Sequence, residues 1–212
     1  MPLLNVVVDL FHLNTVDPSS GFHQMKDAGI LGIIHKASQG TGSVDPEYDE
    51  RRQRALSVDF LWGAYHFGNG EDGAQQADHF LSVINPQPGQ LMTLDFEPNP
   101  TGATMTRVQA EAFVDRIQEV TGRIPVLYSG QSFLQDQLGN LSAGDTILSQ
   151  CPLWIARYSS HLPQLPTMYA DFALWQYTDG AAGLQPHSVP GVGRCDRSKF
   201  HGDASALKAF WQ

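Results

Sequence analysis

Short apolar runs alternate with longer amphipathic stretches over the first part of the chain. Asn5–Leu10 (NVVVDL), Leu31–Ala37 (LGIIHKA), Val58–Phe67 (VDFLWGAYHF), Leu91–Glu97 (LMTLDFE) and Ile124–Ser129 (IPVLYS) are compact and rich in β-branched and aromatic residues, which predicts buried strands. The stretches between them carry helix signals. Ser19 or Ser20 caps a helix through Ala28 that Gly29 closes, and Asp45-Pro46 reads as an N-cap with proline at the first position of a helix to Ser57. Asp72–Ile84 sets Ala77, Phe80, Leu81 and Ile84 at helical spacing. Thr106 with Gln109 suits a capping box, ahead of a helix to Gly122 whose apolar face is Val108, Phe113, Ile117 and Val120. After Ser129 the pattern changes. Leu153–Tyr158, Phe172–Tyr177 and a last segment between Val192 and Phe200 read as strands joined by Pro- and Gly-rich loops with little helix signal, and Ala204–Trp211 as a closing helix. Alternating β and α segments imply parallel strands with right-handed crossovers. Eight strands predict a closed α/β barrel whose helical ring is depleted on its second half. No linker or repeat interrupts it, so residues 1–212 are expected to form one domain.

Composition narrows the function. A net charge of −9 argues against nucleic acid, whose phosphates call for clustered Lys and Arg. No apolar run reaches 18 residues, so no membrane span is expected. The start, MPLLNVVVDLF, lacks a basic region and a small-residue cleavage site; the expectation is no cleaved signal peptide, and a route such as lysis or a dedicated secretion apparatus if the protein works outside the cytoplasm. Cys151 and Cys195 form no metal spacing and read as two separate thiols, or as a bridge in an oxidising space. With no His/Cys cluster at ligand spacing, neither a metal nor a cofactor is expected.

The chemistry concentrates in LMTLDFEPNP. Apolar residues run up to Asp95, Phe96 and Glu97, and Pro98-Asn99-Pro100 stops the strand. Side chains two apart share a strand face, which puts Asp95 and Glu97 on one side with Cα atoms roughly 7 Å apart. Two carboxyls so placed repel and desolvate one another, and pairs whose pKa values are driven apart take acid and base roles. In barrels of this kind the active site lies at the C-terminal ends of the strands. Asp9 and Asp196 fall at or near predicted strand ends as well, and Lys36, Tyr65, His66, Phe67, Tyr128, Trp154, Tyr158, Trp175, Gln176 and Tyr177 gather at the same level. An acidic floor with aromatic walls suits a carbohydrate. Tyr65, Phe67 and Trp175 fit a barrel core equally well, His66 fits a satisfied core histidine, and Lys36 fits a charge-balancing partner.

These residues fall into motifs: Asp9 after an apolar strand, IIHKASQG at 33–40, GAYHF at 63–67, LDFE at 94–97, PVLYSG at 125–130, LWIARY at 153–158, LWQYTDG at 174–180, and Asp196 with Phe200 in CDRSKFHG. In this order and spacing the chain resembles the family 25 glycoside hydrolases, the Chalaropsis-type lysozymes, from Val8 to about Phe200. The resemblance implies an irregular TIM-like β/α barrel of five β/α units followed by three strands. It implies hydrolysis of the β-1,4 bond between N-acetylmuramic acid and N-acetylglucosamine in bacterial peptidoglycan. It assigns Glu97 as general acid, Asp95 as its partner, and Asp9 and Asp196 as the rest of the acidic set. Tyr65, Tyr158, Trp154 and Gln176 take sugar-contacting positions, with Lys36, Phe67 and Tyr128 beside them. Three positions depart from the family pattern: Phe11 stands in place of a serine, Gln39 of a glutamate and Ser198 of an asparagine. A barrel hydrolase of chitin-type oligosaccharides and a non-catalytic glycan-binding barrel are the competing readings. The retained Asp95 and Glu97 argue against the second, because a binder gains nothing from two repelling acids.

Overall fold

In a computed structural model, which describes residues 3–211, eight strands close into a mixed barrel. The ends of the expected 1–212 domain, including the first two residues of MPLLNVVVDLF, lie outside the described residues. In chain order the elements are β1 (Leu3–Leu10), α1 (Gly21–Asp27), β2 (Gly32–Gln39), β3 (Ser43–Val44), α2 (Tyr48–Ser57), β4 (Leu61–Phe67), α3 (Gly73–Ile84), β5 (Leu91–Asp95), α4 (Arg107–Thr121), β6 (Val126–Gly130), α5 (Gln131–Leu138), β7 (Leu153–Ala156), β8 (Leu174–Thr178), β9 (Ser188–Val189), β10 (Gly193–Arg194), β11 (Asp196–His201) and α6 (Ala204–Phe210). Strands β1, β2, β4, β5, β6, β7 and β8 run parallel in that order, each of the first five leading into a helix. The barrel closes through β11, which is antiparallel to both β1 and β8. The five-plus-three architecture is therefore the observed one.

Strand alternation sorts the core into two layers. Val7, Ile34, Leu91, Val126, Trp154, Leu174 and Phe200 point into the barrel, while Val8, Ile33, Met92, Leu94, Leu127 and Ile155 point out under the helices. Helix α6 closes the barrel floor with Leu207 and Trp211. The Trp211 ring lies against Gly32 and Gly63; a Cβ at Gly32 would come within 2.8 Å of it. Glycine is required at that position by the close approach of the indole, not by its backbone angles.

Several local expectations need correction. Asp45 is not the cap of α2: Glu47 holds that position without a side-chain cap, and Asp45 instead accepts from Glu47 N–H at 3.0 Å and from His12 N–H at 3.1 Å. The third strand starts at Leu61 rather than Val58, because Asp59 takes a left-handed turn at φ 59°. The Thr106–Gln109 capping box is present, but the buried stripe of α4 is Ala110, Phe113, Val114 and Ile117. Val108 stands outside that 3–4 spacing, and Val120 keeps the spacing but lies in the last turn of the helix; they are 65% and 51% exposed. Helix α5 and a 3-10 turn at Ile147–Gln150 occupy a region expected to be loop. The two cysteines are separate buried thiols, and burial pushes each up to about 12.

Candidate active site

The parallel strands end together at one mouth, and four acids arrive there by different routes. Asp9 is the penultimate residue of β1, and Asp95 ends β5. Asp196 begins β11; because that strand is antiparallel, its first residue lies at the same mouth, in register with Asp9. Glu97 lies two residues beyond β5. Phe96 keeps it in place: its N–H donates to Tyr128 O at 2.9 Å, and its buried ring packs outward on Phe133 at 5.0 Å between centroids. With Phe96 turned out, Asp95 and Glu97 both face the pit, as alternation predicts, although the regular strand stops at Asp95.

Asp9, Asp95, Glu97 and Asp196 line this narrow pit of about 80 Å³ with Tyr65, Tyr128, Trp154 and Gln176. All eight are among the residues expected from sequence. A hydrogen-bond chain ties one wall to the floor. Tyr128 and Tyr158 hydroxyls both donate to Gln176 Oε1, at 2.9 and 2.7 Å, and Gln176 Nε2 donates to Asp9 Oδ2 at 2.8 Å. Two donors on the amide oxygen fix which way the amide points. Asp9 is paired in register with Asp196 across β1 and β11, and its Oδ1 is buried with no hydrogen-bond partner among the described residues. Burial, and after it the charge of Asp196, raises Asp9, so the two acids resist being ionised together. Replacing Gln176 by leucine, close to it in size, strands two tyrosine hydroxyls and an Asp9 oxygen. The expected cost is about 2–4 kcal/mol, read as a lowered thermal midpoint against wild type.

Burial dominates the titration of the site. It pushes Glu97 up to about 7, with the Asp196 charge adding to the rise and Lys36 opposing it. It pushes Asp196 up to about 6. Asp95 and Asp9 are raised by burial first, then by the charges of Glu97 and Asp196 respectively. Asp95 Oδ1 is buried and has no hydrogen-bond partner among the described residues, so an acceptor faces the pit unused.

Lys36 and Phe67 sit beside the pit rather than in its lining. Lys36 lines an adjoining hollow with His12, Gln39 and Asp45; its ammonium donates to Gln39 Oε1 at 2.7 Å and lies 5.0 Å from the Phe67 ring centroid. Tyr158, 40% exposed, stands at the rim. His66 points away from the pit, between Ser38 and Gln76, and burial lowers it to about 3, so it is neutral and structural. Trp175 and Tyr177 contact Lys199 instead of the pit. No cluster of three His, Cys, Asp or Glu able to hold a metal occurs among the described residues.

Residues 8–183 match the family described as glycosyl hydrolases family 25. The chain belongs to this family. Among its family 25 relatives, Lysozyme M1 of Streptomyces globisporus is 30% identical, over 90% of this chain and 67% of its own. The N,O-diacetylmuramidase of Chalaropsis sp is 32% identical, over 81% of this chain and 88% of its own. The bacterial lysozyme of Streptomyces coelicolor superposes with a TM-score of 0.83 at 27% identity, covering 99% of this chain and 97% of that one. The protein is accordingly a glycoside hydrolase of the muramidase family, with that family's barrel. The positions that depart from the family pattern each have a local partner. Ser198 accepts the Trp154 indole N–H at 2.9 Å, Gln39 takes Lys36, and the Phe11 carbonyl accepts Arg51 at 2.8 Å.

Sequence reasoning passed over Asp45 and His12, whose 2.9 Å contact borders the Lys36 hollow, because Asp45-Pro46 looked like a helix start. It also passed over Arg157, which directly precedes the rim residue Tyr158 in LWIARY.

Proposed function

We propose that the protein hydrolyses the β-1,4 bond between N-acetylmuramic acid and N-acetylglucosamine in bacterial peptidoglycan, with Glu97 as general acid. The observation that carries this reading is a carboxyl held protonated up to about pH 7 in a pit with three further acids and aromatic walls. The names of the relatives, lysozyme and muramidase, point to the same substrate.

In this mechanism Glu97 gives its proton to the glycosidic oxygen as the C–O bond breaks, and the leaving sugar departs with a new hydroxyl. The substrate's own 2-acetamido oxygen closes on the anomeric carbon, forming an oxazolinium ring. Asp95 acts throughout as a carboxylate, the form favoured by the Lys36 charge and by the acetamide N–H it accepts, and its negative charge stabilises the ring without a proton changing hands. Water then opens the ring from the face the leaving group vacated, and Glu97, now a carboxylate, takes the water's proton. Configuration is retained. Substrate assistance is a recognised departure from the two-carboxylate scheme, and it suits an acid and helper placed two residues apart on one side of the sugar. Asp9 and Asp196, which resist being ionised together, offer a sugar hydroxyl both a donor and an acceptor.

The test is digestion of purified peptidoglycan and of chitin oligosaccharides, followed by borohydride reduction and mass spectrometry. Products ending in reduced muramic acid are expected from peptidoglycan. Products ending in reduced glucosamine, or faster cleavage of chitin, overturn the assignment.

A further inference from the structure

Next to the pit lies a larger groove of about 550 Å³ that shares Glu97 and Tyr128 with it. Its walls are the start of α5 (Gly130–Phe133) and the segment after β7 (Ala156–Ser159). Arg157 stands in it under tight control. Its backbone N–H donates to Gln176 O at 3.0 Å, and its carbonyl accepts the Trp175 indole N–H at 2.9 Å. The guanidinium Nη1 donates to Gln131 Oε1 at 2.9 Å and to Leu162 O at 3.0 Å. Its Nε and Nη2 make no hydrogen bond to protein, and no carboxylate lies within 4 Å, among the described residues. Four other arginines, Arg51, Arg54, Arg107 and Arg116, are each paired with an acid. Arg157 therefore presents a fixed two-nitrogen edge beside an acidic pit, in a chain of net charge −9.

We propose that this groove binds the peptide stem carried by muramic acid, and that Arg157 pairs with a carboxylate of that peptide. The proposal rests on the muramidase reading above and names a second part of its substrate. In a peptide-bearing strand the lactyl carboxyl of muramic acid is tied up as an amide and the sugars are neutral, so the group that can match a guanidinium's charge and planar fork is a carboxylate of the peptide. An anionic peptide approaching four acids is repelled unless a cation stands at its point of entry. The groove's other groups suit a peptide: Gln131, Ser132 and Ser159 offer donors and acceptors to backbone amides, and Phe133 with Ala156 offers an apolar wall.

The experiment compares kcat/KM on glycan strands carrying stem peptides with kcat/KM on the same strands after an amidase has removed them. It uses wild type, Arg157→Gln and Gly130→Phe. Gly130 has φ −69° and open space where a Cβ would stand, so the new ring enters the groove without backbone strain. Wild type is expected to favour the peptide-bearing strands. Arg157→Gln should reduce that preference about fivefold, and Gly130→Phe should reduce it through a raised KM, with both variants melting close to wild type. A preference unchanged in both variants overturns the proposal. So does a parallel fall on both substrates, which makes the groove a sugar site. Wild type cleaving neither strand overturns the muramidase reading itself, a separate result.

Discussion

Glu97→Gln is expected to lower kcat on peptidoglycan by about 10³-fold while the barrel stays folded. The size follows from the role: a positioned general acid contributes roughly 10²–10⁴-fold, and glutamine fills the same space without a transferable proton. Leaving-group departure without protonation is the step most slowed, so the loss belongs in kcat more than in KM. The variant is expected to be more stable than the parent at alkaline pH. In the unfolded chain a glutamate ionises near 4.5, and in the folded site Glu97 holds its proton to about 7. Between these values the folded state carries a proton that the unfolded state has lost, so this group's contribution to stability falls as pH rises from about 4.5 to about 7 and stays low above that. Removing it should raise the thermal midpoint by several degrees at pH 8, corresponding to about 1–3 kcal/mol, with little change at pH 4. Activity assays with circular dichroism melts check both parts. A folded Glu97→Gln variant that clears cell walls at the wild-type rate contradicts the assignment.

Wild-type kcat/KM is expected to fall about tenfold per pH unit above pH 7, because only the protonated form of Glu97 can donate. At pH 9 the loss is about a hundredfold. Lys36 bears on the position of this limb. Its charge favours ionised Glu97 and ionised Asp95, and its own ammonium is weakened by burial. Lys36→Met removes that pull, so the alkaline limb should move to higher pH, away from neutrality. Rate profiles of both proteins over pH 4–10 supply the measurement. A limb that stays in place in Lys36→Met removes Lys36 from the electrostatics of the pit, and a wild-type rate that holds flat to pH 9 removes Glu97 as the acid.

What the sequence revealed followed from local physics. Asp95 and Glu97 were visible because a buried strand that ends in two acids and a Pro-Asn-Pro stop is expensive unless it is used. The strand periodicity behind that reading survives in the structure through Phe96, whose outward anchoring sends Glu97 back to the pit. Asp196 was harder to place: it begins its strand, and only the reversed direction of β11 brings it to the mouth beside Asp9. Direction is a property of the closed sheet and leaves no mark in a six-residue segment. Helix α5 went unseen because it is eight residues long, opens at Gly130 without a side-chain cap and buries just Leu134 and Leu138. The hydrogen-bonded pair of Asp45 and His12 lay hidden for another reason. A proline after an aspartate is the usual sign of a helix start, and the partner was far away in sequence. Tyr128, Tyr158 and Gln176 were expected as sugar contacts from their motifs, but that they form one chain ending on Asp9 depends on three strands meeting.

The most direct test is the titration of Glu97 itself, followed through the side-chain carboxyl carbon in protein labelled with 13C-glutamate, with Glu97→Gln used to assign the signal. A single step near pH 7, absent from the variant, is the result expected. A Glu97 signal that titrates at or below pH 4.5 shows a carboxyl already ionised at neutrality, with no proton to give.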